Sequence, residues 1–313
     1  MKTRRIYITR KDGSKMKLLI FSPKTLAATP RFRESTPSPS PTATPAVTGT
    51  PTPTPALGTT ATGLQASSPT TGVLWIHGGG YITGFAAMAG LLGMGRRLVC
   101  RHGCTVISPA YRLRRGGRYP NALADCYEAL LYMASHCDEL GIRSDQIFVG
   151  GESAGGGLCA ALCQLARDRG EVNIAFQMPL YPMIDDRDTD SSRDNHSLGW
   201  NTASNHFGWK VYLGGLYGSD EVPPYAAPAR RSDFHGLPPL YTFVCTGEPF
   251  YCETLSYVEN LRDAGVEAEL DIYEGLFHAF DILQPWRKVS RTAVERFDAA
   301  FRRARAQYFA QNK

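Results

Sequence analysis

A serine flanked by small residues stands between two apolar stretches near the middle of the chain. The sequence Gly151-Glu152-Ser153-Ala154-Gly155 follows the apolar run 146–149 and precedes a second run at 158–165. Strand, sharp turn and helix form the context in which a G-x-S-x-G turn exposes a serine hydroxyl as a nucleophile. The glycines let the strand and the helix approach closely, and the first helical turn offers unpaired N–H groups to negative charge. The stretch therefore predicts Ser153 as a nucleophile for acyl transfer.

A serine nucleophile needs a base, and one histidine stands where that base is expected. Acyl transfer by serine also requires an acid that orients the base and N–H donors for the oxyanion. On folds with a G-x-S-x-G turn, the chain order is serine, acid, histidine. Only His278 lies beyond the last predicted strand, so we predict it as the base. The other six histidines are expected to be structural: His77, His102, His136, His196, His206 and His235.

A glycine-rich loop supplies candidate donors for the oxyanion. The sequence His77-Gly78-Gly79-Gly80-Tyr81 follows an apolar strand at residues 73–76. Glycine lets the backbone approach a substrate closely, so the N–H groups of Gly78 and Gly79 are predicted donors. The third predicted donor is the N–H of Ala154, directly after the nucleophile.

Strands and helices alternate along most of the chain, which predicts how these groups are brought together. Apolar runs predict strands at residues 6–8, 16–21, 73–76, 105–108, 146–149, 174–180, 240–245 and 266–273. Periodic segments predict helices at residues 88–102, 121–140, 158–165, 253–264 and 287–311. This alternation predicts an α/β fold with a mostly parallel, doubly wound sheet and an antiparallel N-terminal hairpin. Residues 185–231, after the sixth strand, are too long for a simple connection and predict a lid.

One segment differs in composition from the rest of the predicted single domain, 1–313. Residues 34–71 are rich in Thr, Pro, Ser and Ala, and no charged residue follows Glu34 in this segment. Such a composition cannot bury enough apolar surface to offset its conformational entropy. We therefore predict a disordered insertion between two strands.

Charge and cysteine content argue against several classes of protein. The net charge of +5 is too small to indicate nucleic-acid binding. The eight cysteines show no CxxC pair and no zinc spacing, so buried, reduced thiols and a cytoplasmic location are expected. Neither a signal peptide nor an apolar run near the ~20 residues of a membrane-spanning helix is visible. The arginines between residues 112 and 118 are interpreted as a solvated loop, and Asp185 and Asp186 as loop anchors without a metal.

The motifs taken together resemble the bacterial hormone-sensitive-lipase family of α/β-hydrolase esterases. Residues 73–281 contain them in the family's order: His77-Gly78-Gly79-Gly80, Tyr111-Arg112-Leu113, Gly151-Glu152-Ser153-Ala154-Gly155-Gly156, Tyr181-Pro182-Met183-Ile184-Asp185-Asp186-Arg187, Ala226-Ala227-Pro228-Ala229, Leu237-Pro238-Pro239 and residues 275–280. The resemblance implies hydrolysis of carboxylic esters with short acyl chains, without a cofactor or metal. It also implies the nucleophile, base and oxyanion donors already predicted from the residues.

The expected partner is a small-molecule ester, and the expected state is a monomer or homodimer. We expect three aromatic side chains to contact the substrate: Tyr81, Trp200 and Phe207. An amidase or deacetylase could use the same groups. A ligand-binding protein on this fold is a further alternative, since the gibberellin receptors resemble the family with an incomplete triad; the presence of Ser153 and His278 disfavours it.

The chain departs from the family pattern at three places. Glu152 replaces the usual aspartate before the serine, and the usual N-terminal cap helices are not seen, which predicts a more open site. The family's acid is an aspartate followed by proline, and gap-free alignment from Leu237 places Glu248, followed by Pro249, at that position. We favour Glu248 as the acid; Asp185 and a backbone carbonyl are the alternatives.

Overall fold

Eight strands form one sheet in the computed structural model, which describes residues 1–24 and 68–312. The strands are β1 Lys2–Thr9, β2 Lys15–Ser22, β3 Thr70–Ile76, β4 Thr105–Pro109, β5 Ile142–Glu152, β6 Phe176–Leu180, β7 Leu240–Cys245 and β8 Ala268–Tyr273. Each predicted strand overlaps one of them. The predicted insertion 34–71 falls outside the described residues except for its last four positions, which belong to the approach and start of β3.

The sheet order is β1-β2-β4-β3-β5-β6-β7-β8. Six neighbouring strands run parallel to one another: β4, β3, β5, β6, β7 and β8. Strand β2 pairs antiparallel with both β1 and β4. This confirms the predicted α/β-hydrolase architecture with its N-terminal hairpin. Because the carboxyl ends of β3, β5, β6, β7 and β8 meet at one edge, the loops that follow these strands are brought together there.

Nine α-helices connect and cover the strands in the described part of the chain. They are α1 Met88–Leu91, α2 Gly93–His102, α3 Asn121–Ser135, α4 Cys137–Leu140, α5 Ala154–Arg169, α6 Thr202–Leu213, α7 Tyr251–Asp263, α8 Phe280–Leu283 and α9 Lys288–Gln307. Residues of α3 and α5 form one apolar core with β3 and β5, and residues of α2 and α9 form a second core with the same strands. Every residue of β3 is buried, as a strand between two helical layers requires.

Several helix predictions were wrong in detail. The segment 88–102 is broken at Leu92, whose backbone is extended, before Gly93 with a φ of +60°. The segment 121–140 ends at Ser135 and resumes only as the short α4. Helix α6 was missed, although Asn201 caps its N-terminus by accepting a hydrogen bond from the Ser204 N–H at 3.0 Å.

All eight cysteines are free, and six of them are buried. Cys100 is exposed and Cys252 is partly exposed, so the expectation of burial was wrong for these two. Cys100 belongs to α2, whose buried side chains lie at Met94, Leu98 and Val99, and the cysteine is outside that apolar stripe.

Candidate active site

The serine turn joins β5 to α5 through a strained backbone. Ser153 has a φ of +57° and a ψ of −122°, a backbone conformation that residues other than glycine rarely adopt. Its N–H donates to the Leu180 carbonyl at 3.0 Å, and its carbonyl accepts from Gly157 at 2.9 Å and Met183 at 3.1 Å. These bonds hold the strained residue in place, so its hydroxyl projects at the carboxyl edge of the sheet.

Glycine is required on both sides of Ser153 by close backbone approach. A Cβ on Gly155 would lie 2.2 Å from the Ile76 carbonyl oxygen, and one on Gly151 would lie 2.5 Å from the Gly155 oxygen. Neither distance is possible for real atoms, so larger residues would separate α5 from β3 and move the serine.

The predicted nucleophile, base and acid lie in contact. Ser153 Oγ is 2.9 Å from His278 Nε2, and His278 Nδ1 forms a hydrogen bond with Glu248 Oε2. The three side chains come from the loops after β5, β8 and β7, which the parallel sheet brings to one edge. All three are buried. The arrangement can pass a proton from the serine to the histidine while the carboxylate accepts the opposite ring N–H.

The Glu248 carboxylate is held from its other side by Cys245. Oε1 accepts the Cys245 N–H at 2.9 Å and lies 3.1 Å from the Cys245 thiol. Burial raises the pKa of this thiol, with the nearby Glu248 carboxylate adding to the shift, so the sulfur keeps its proton and can donate it. The sequence alone offered no signal for this support.

The alternative acid, Asp185, is engaged elsewhere. Its carboxylate oxygens accept from Arg187 Nε at 2.8 Å and Nη2 at 2.9 Å. Its neighbour Asp186 accepts from Arg230 Nε at 2.6 Å. Both aspartates therefore anchor the segment 185–231, and within the described residues Asp185 makes no hydrogen bond with His278.

Aromatic rings enclose the histidine. Tyr181 and Phe250 meet the His278 ring edge to face, with centroids 5.1 and 5.0 Å away, and the Trp200 ring is 6.4 Å away. This packing fixes the ring plane and keeps bulk water from its faces.

The glycine loop lies directly beside the serine. A Cβ on Gly78 would be 3.3 Å from Ser153 Cβ, and Gly79 has a φ of +118°. Within the described residues, the N–H groups of Gly78, Gly79 and Ala154 have no hydrogen-bond acceptor. Three unpaired donors next to a serine hydroxyl can stabilise negative charge on a substrate oxygen.

His77 supports that loop from below. Its ring stacks on Tyr111 at 4.3 Å, its Nδ1 is 2.8 Å from the Gly78 carbonyl oxygen, and the Tyr111 hydroxyl donates to the His77 carbonyl at 2.8 Å. Burial lowers the pKa of His77 to about 4, so the ring is neutral at neutral pH and its N–H can donate to that carbonyl.

Two buried acids, Glu152 and Asp281, lie beneath the site, and sequence reasoning missed that they are neighbours. Glu152 Oε2 accepts from Trp75 Nε1 at 3.0 Å. Burial, together with the neighbouring Asp281 carboxylate, raises the pKa of Glu152 to about 8. Burial likewise raises the pKa of Asp281 to about 6, and its Oδ1 has no hydrogen-bond partner among the described residues.

The three aromatic residues expected at the substrate occupy different places. The Trp200 ring fills the space beside Gly80, where a Cβ would be 2.1 Å from Trp200 Cη2. Tyr81 is buried under the glycine loop, stacked on Tyr212 at 4.0 Å, and therefore supports the loop from within the core. Phe207, on α6, is 56% exposed.

Two further sequence interpretations concern charged groups. Arg112 is not simply solvated, because it binds Asp125 in the core and Asp12 in the hairpin, each at 2.8 Å.

Within residues 1–24 and 68–312, no group of three or more His, Cys, Asp or Glu side chains could hold a metal ion. In the same part of the chain, no helix is long and apolar enough to cross a bilayer.

The strained serine turn at the carboxyl edge of a mostly parallel sheet defines an α/β-hydrolase fold. The sequence model of a family described as alpha/beta hydrolase fold matches residues 73–282. This chain belongs to that family, which confirms the resemblance drawn from the sequence motifs.

Relatives and solved structures agree with this assignment. Esterase LipI of Mycobacterium tuberculosis is 30% identical over 217 residues, covering 69% of this chain and 67% of that protein. An arylesterase of Saccharolobus solfataricus is 29% identical over 211 residues, covering 66% of this chain and 67% of that protein. The structure of a bacterial heroin esterase superposes with a TM-score of 0.79 at 31% identity, covering 97% of this chain and 84% of that one.

Proposed function

We infer that this chain is a carboxylic ester hydrolase that works through an acyl-enzyme on Ser153. Membership of the hydrolase family and relatives named as esterases support the reaction class. The contact of Ser153 Oγ with His278 Nε2, with Glu248 on the opposite ring nitrogen, supports the mechanism. That contact is the observation on which the proposal depends most.

In the first half of the reaction, Ser153 Oγ attacks the ester carbonyl carbon while His278 Nε2 takes the serine proton. The Glu248 carboxylate accepts the Nδ1–H, which fixes the tautomer and stabilises the imidazolium that forms. The imidazolium then protonates the departing alcohol, leaving the acyl group on Ser153. A water molecule activated by the same histidine releases the acid and restores the serine.

The tetrahedral intermediates carry negative charge on the former carbonyl oxygen. The N–H groups of Gly78, Gly79 and Ala154 are proposed to bind this oxygen, since all three lie beside Ser153 without acceptors among the described residues. Fixed donors cost no reorganisation during the reaction, which makes this the largest electrostatic contribution expected at such a site.

The room for substrate is limited by Trp200, which supports a preference for small esters. Its ring lies between Gly80 of the glycine loop and His278, and its indole N–H is buried without a partner in the described part of the chain. Residues 185–231, which carry Trp200 and α6, are therefore proposed to act as the lid over the site.

The mechanism is tested by Ser153→Ala, assayed with p-nitrophenyl acetate and butyrate. We expect turnover to fall at least ~10³-fold with the melting temperature retained. A serine-directed organophosphate should add one equivalent to the wild type and none to the variant, as seen by mass spectrometry. Activity retained in the pure variant would rule out the mechanism, and adduct formation without ester turnover would indicate an amide substrate.

The size limit is tested separately by Trp200→Ala. We expect kcat/KM for p-nitrophenyl octanoate to rise about 10-fold relative to that for the acetate, because the ring no longer fills the space beside Gly80. Phe207→Ala, from the same segment but exposed, is the matched control and should leave the ratio unchanged. An unchanged ratio in the Trp200 variant would show that another residue sets the chain length.

A further inference from the structure

Large apolar side chains are exposed on three segments that border the active site. Of ten large apolar residues exposed in the described part of the chain, six lie on these segments. They are Phe85 at 57% exposure, Leu91 at 60%, Leu92 at 52%, Leu198 at 72%, Leu283 at 52% and Trp286 at 67%. We call these six residues the apolar rim.

Two close approaches place the segments of the apolar rim beside the triad. A Cβ on Gly199 would lie 3.7 Å from the His278 carbonyl oxygen and 3.8 Å from Leu283 Cδ1. A Cβ on Gly93 would lie 3.5 Å from Ile282 Cδ1 and 2.8 Å from Oε1 of Glu152, the residue before the nucleophile. The loop before α6, the start of α2 and the end of α8 therefore lie close together, next to His278 and Glu152.

The charge around the apolar rim is of one sign on two of the three segments. Residues 82–97 and 282–294 contain no aspartate or glutamate. Four exposed cations on them have no carboxylate within 4.0 Å in the described residues. These cations are Arg96, Arg287, Lys288 and Arg291.

We propose that the apolar rim docks this protein on an anionic lipid surface. Transfer of tryptophan and leucine side chains from water to the boundary between headgroups and acyl chains is favourable. Neighbouring arginine and lysine side chains are attracted to anionic headgroups. Anionic headgroups complement these four cations, whereas an uncharged protein partner does not. Docking brings the edge of the site at His278 to the lipid, so that esters dissolved in the surface reach Ser153. This second part rests on the proposed function, whereas docking itself does not.

Docking is measured with the full-length Ser153→Ala protein, so that its outcome is independent of catalysis. The protein is sedimented with vesicles of phosphatidylcholine alone or with roughly one phosphatidylglycerol in three lipids. We expect binding to the anionic vesicles that weakens as salt rises, with a blue shift of tryptophan fluorescence. The added substitutions Leu283→Ser and Trp286→Ser should lower the partition coefficient at least ~10-fold.

A matched control carries Tyr7→Ser and Phe309→Ser, which remove two aromatic side chains of 60% and 47% exposure outside the apolar rim. Its partition coefficient should equal that of the parent. Arg287→Gln with Lys288→Gln should reduce the preference for anionic over neutral vesicles. With Ser153 restored, the Leu283 and Trp286 variant should hydrolyse p-nitrophenyl acetate at the parental rate but lose activity on a vesicle-borne ester.

Absence of binding to either vesicle would overturn the proposal. So would equal binding by the apolar-rim variant and the control. Concentration-dependent self-association, abolished by the same two substitutions and without vesicle binding, would instead assign the apolar rim to an interface between two copies of this chain.

Discussion

Two buried glutamates lie on either side of the serine–histidine contact, and their surroundings differ. Glu248 contacts the His278 ring through one oxygen and the Cys245 N–H through the other. Glu152 has the Trp75 indole N–H as a donor and a second carboxylate, Asp281, as a neighbour. A carboxylate that accepts hydrogen bonds on both oxygens can orient a base, whereas burial near a second carboxylate raises the pKa of Glu152.

The difference indicates that proximity to the nucleophile does not by itself make an acid part of the reaction. Glu152 is adjacent to Ser153 in sequence, but its side chain points away from the triad, toward Trp75 and the start of α2. Glu248 is distant in sequence and touches the base directly. We therefore expect substitutions at Glu248 to change catalysis and substitutions at Glu152 to change stability.

The largest effect is expected from Glu248→Gln. The amide keeps the shape of the side chain but cannot stabilise the imidazolium as a carboxylate does, so turnover should fall about 10²- to 10⁴-fold with little change in KM. Steady-state kinetics with p-nitrophenyl butyrate measures this. Asp185→Asn is the control and should cost less than ~3-fold; a crippled Asp185 variant beside an active Glu248 variant would reverse the assignment of the acid.

A smaller effect, on stability and not on turnover, is expected from Glu152→Gln. The raised pKa means that the folded state favours protonated Glu152, so its contribution to stability is complete below pH 4.5 and is lost as pH rises through about 8. At roughly 1.4 kcal/mol per pKa unit, the wild type should lose on the order of 2–4 kcal/mol between pH 5 and pH 8.

The glutamine cannot ionise, so the variant should show a flatter dependence of unfolding free energy on pH. Urea denaturation at four pH values across this range measures it, with Glu139→Gln as an exposed control that should follow the wild type. Equal slopes for wild type and Glu152→Gln would show that Glu152 does not titrate in this window. Turnover of the variant should stay within about 3-fold of the wild type.

The smallest effect, again on stability and not on turnover, is expected from Trp75→Phe. This change removes the indole donor to Glu152 and leaves a small cavity in the core, which should lower the unfolding free energy by about 1–3 kcal/mol. Turnover should change less than ~3-fold, because the Trp75 indole donates to Glu152 and, within the described residues, forms no hydrogen bond with the triad. A loss of turnover as large as that of Glu248→Gln would contradict the separation of the two glutamates.

Local sequence determined the serine turn, the glycine loop and the positions of all eight strands. Each of these depends on neighbours a few residues away: small residues where backbones meet, and apolar runs long enough for a buried strand. Helix ends were less predictable, because the breaks at Leu92 and Ser135 depend on how the following residues pack.

Sequence alignment favoured Glu248 over Asp185 as the partner of His278, but only the tertiary structure shows the contact. Both stand after a strand of the same sheet, but Glu248 contacts the His278 ring, whereas Asp185 is paired with Arg187. Tertiary structure also brought Glu152 and Asp281, which lie far apart in the chain, close enough for one carboxylate to raise the pKa of the other. Burial and electrostatic neighbours arise from long-range packing, so the protonation of a carboxyl group cannot be predicted from the residues on either side of it.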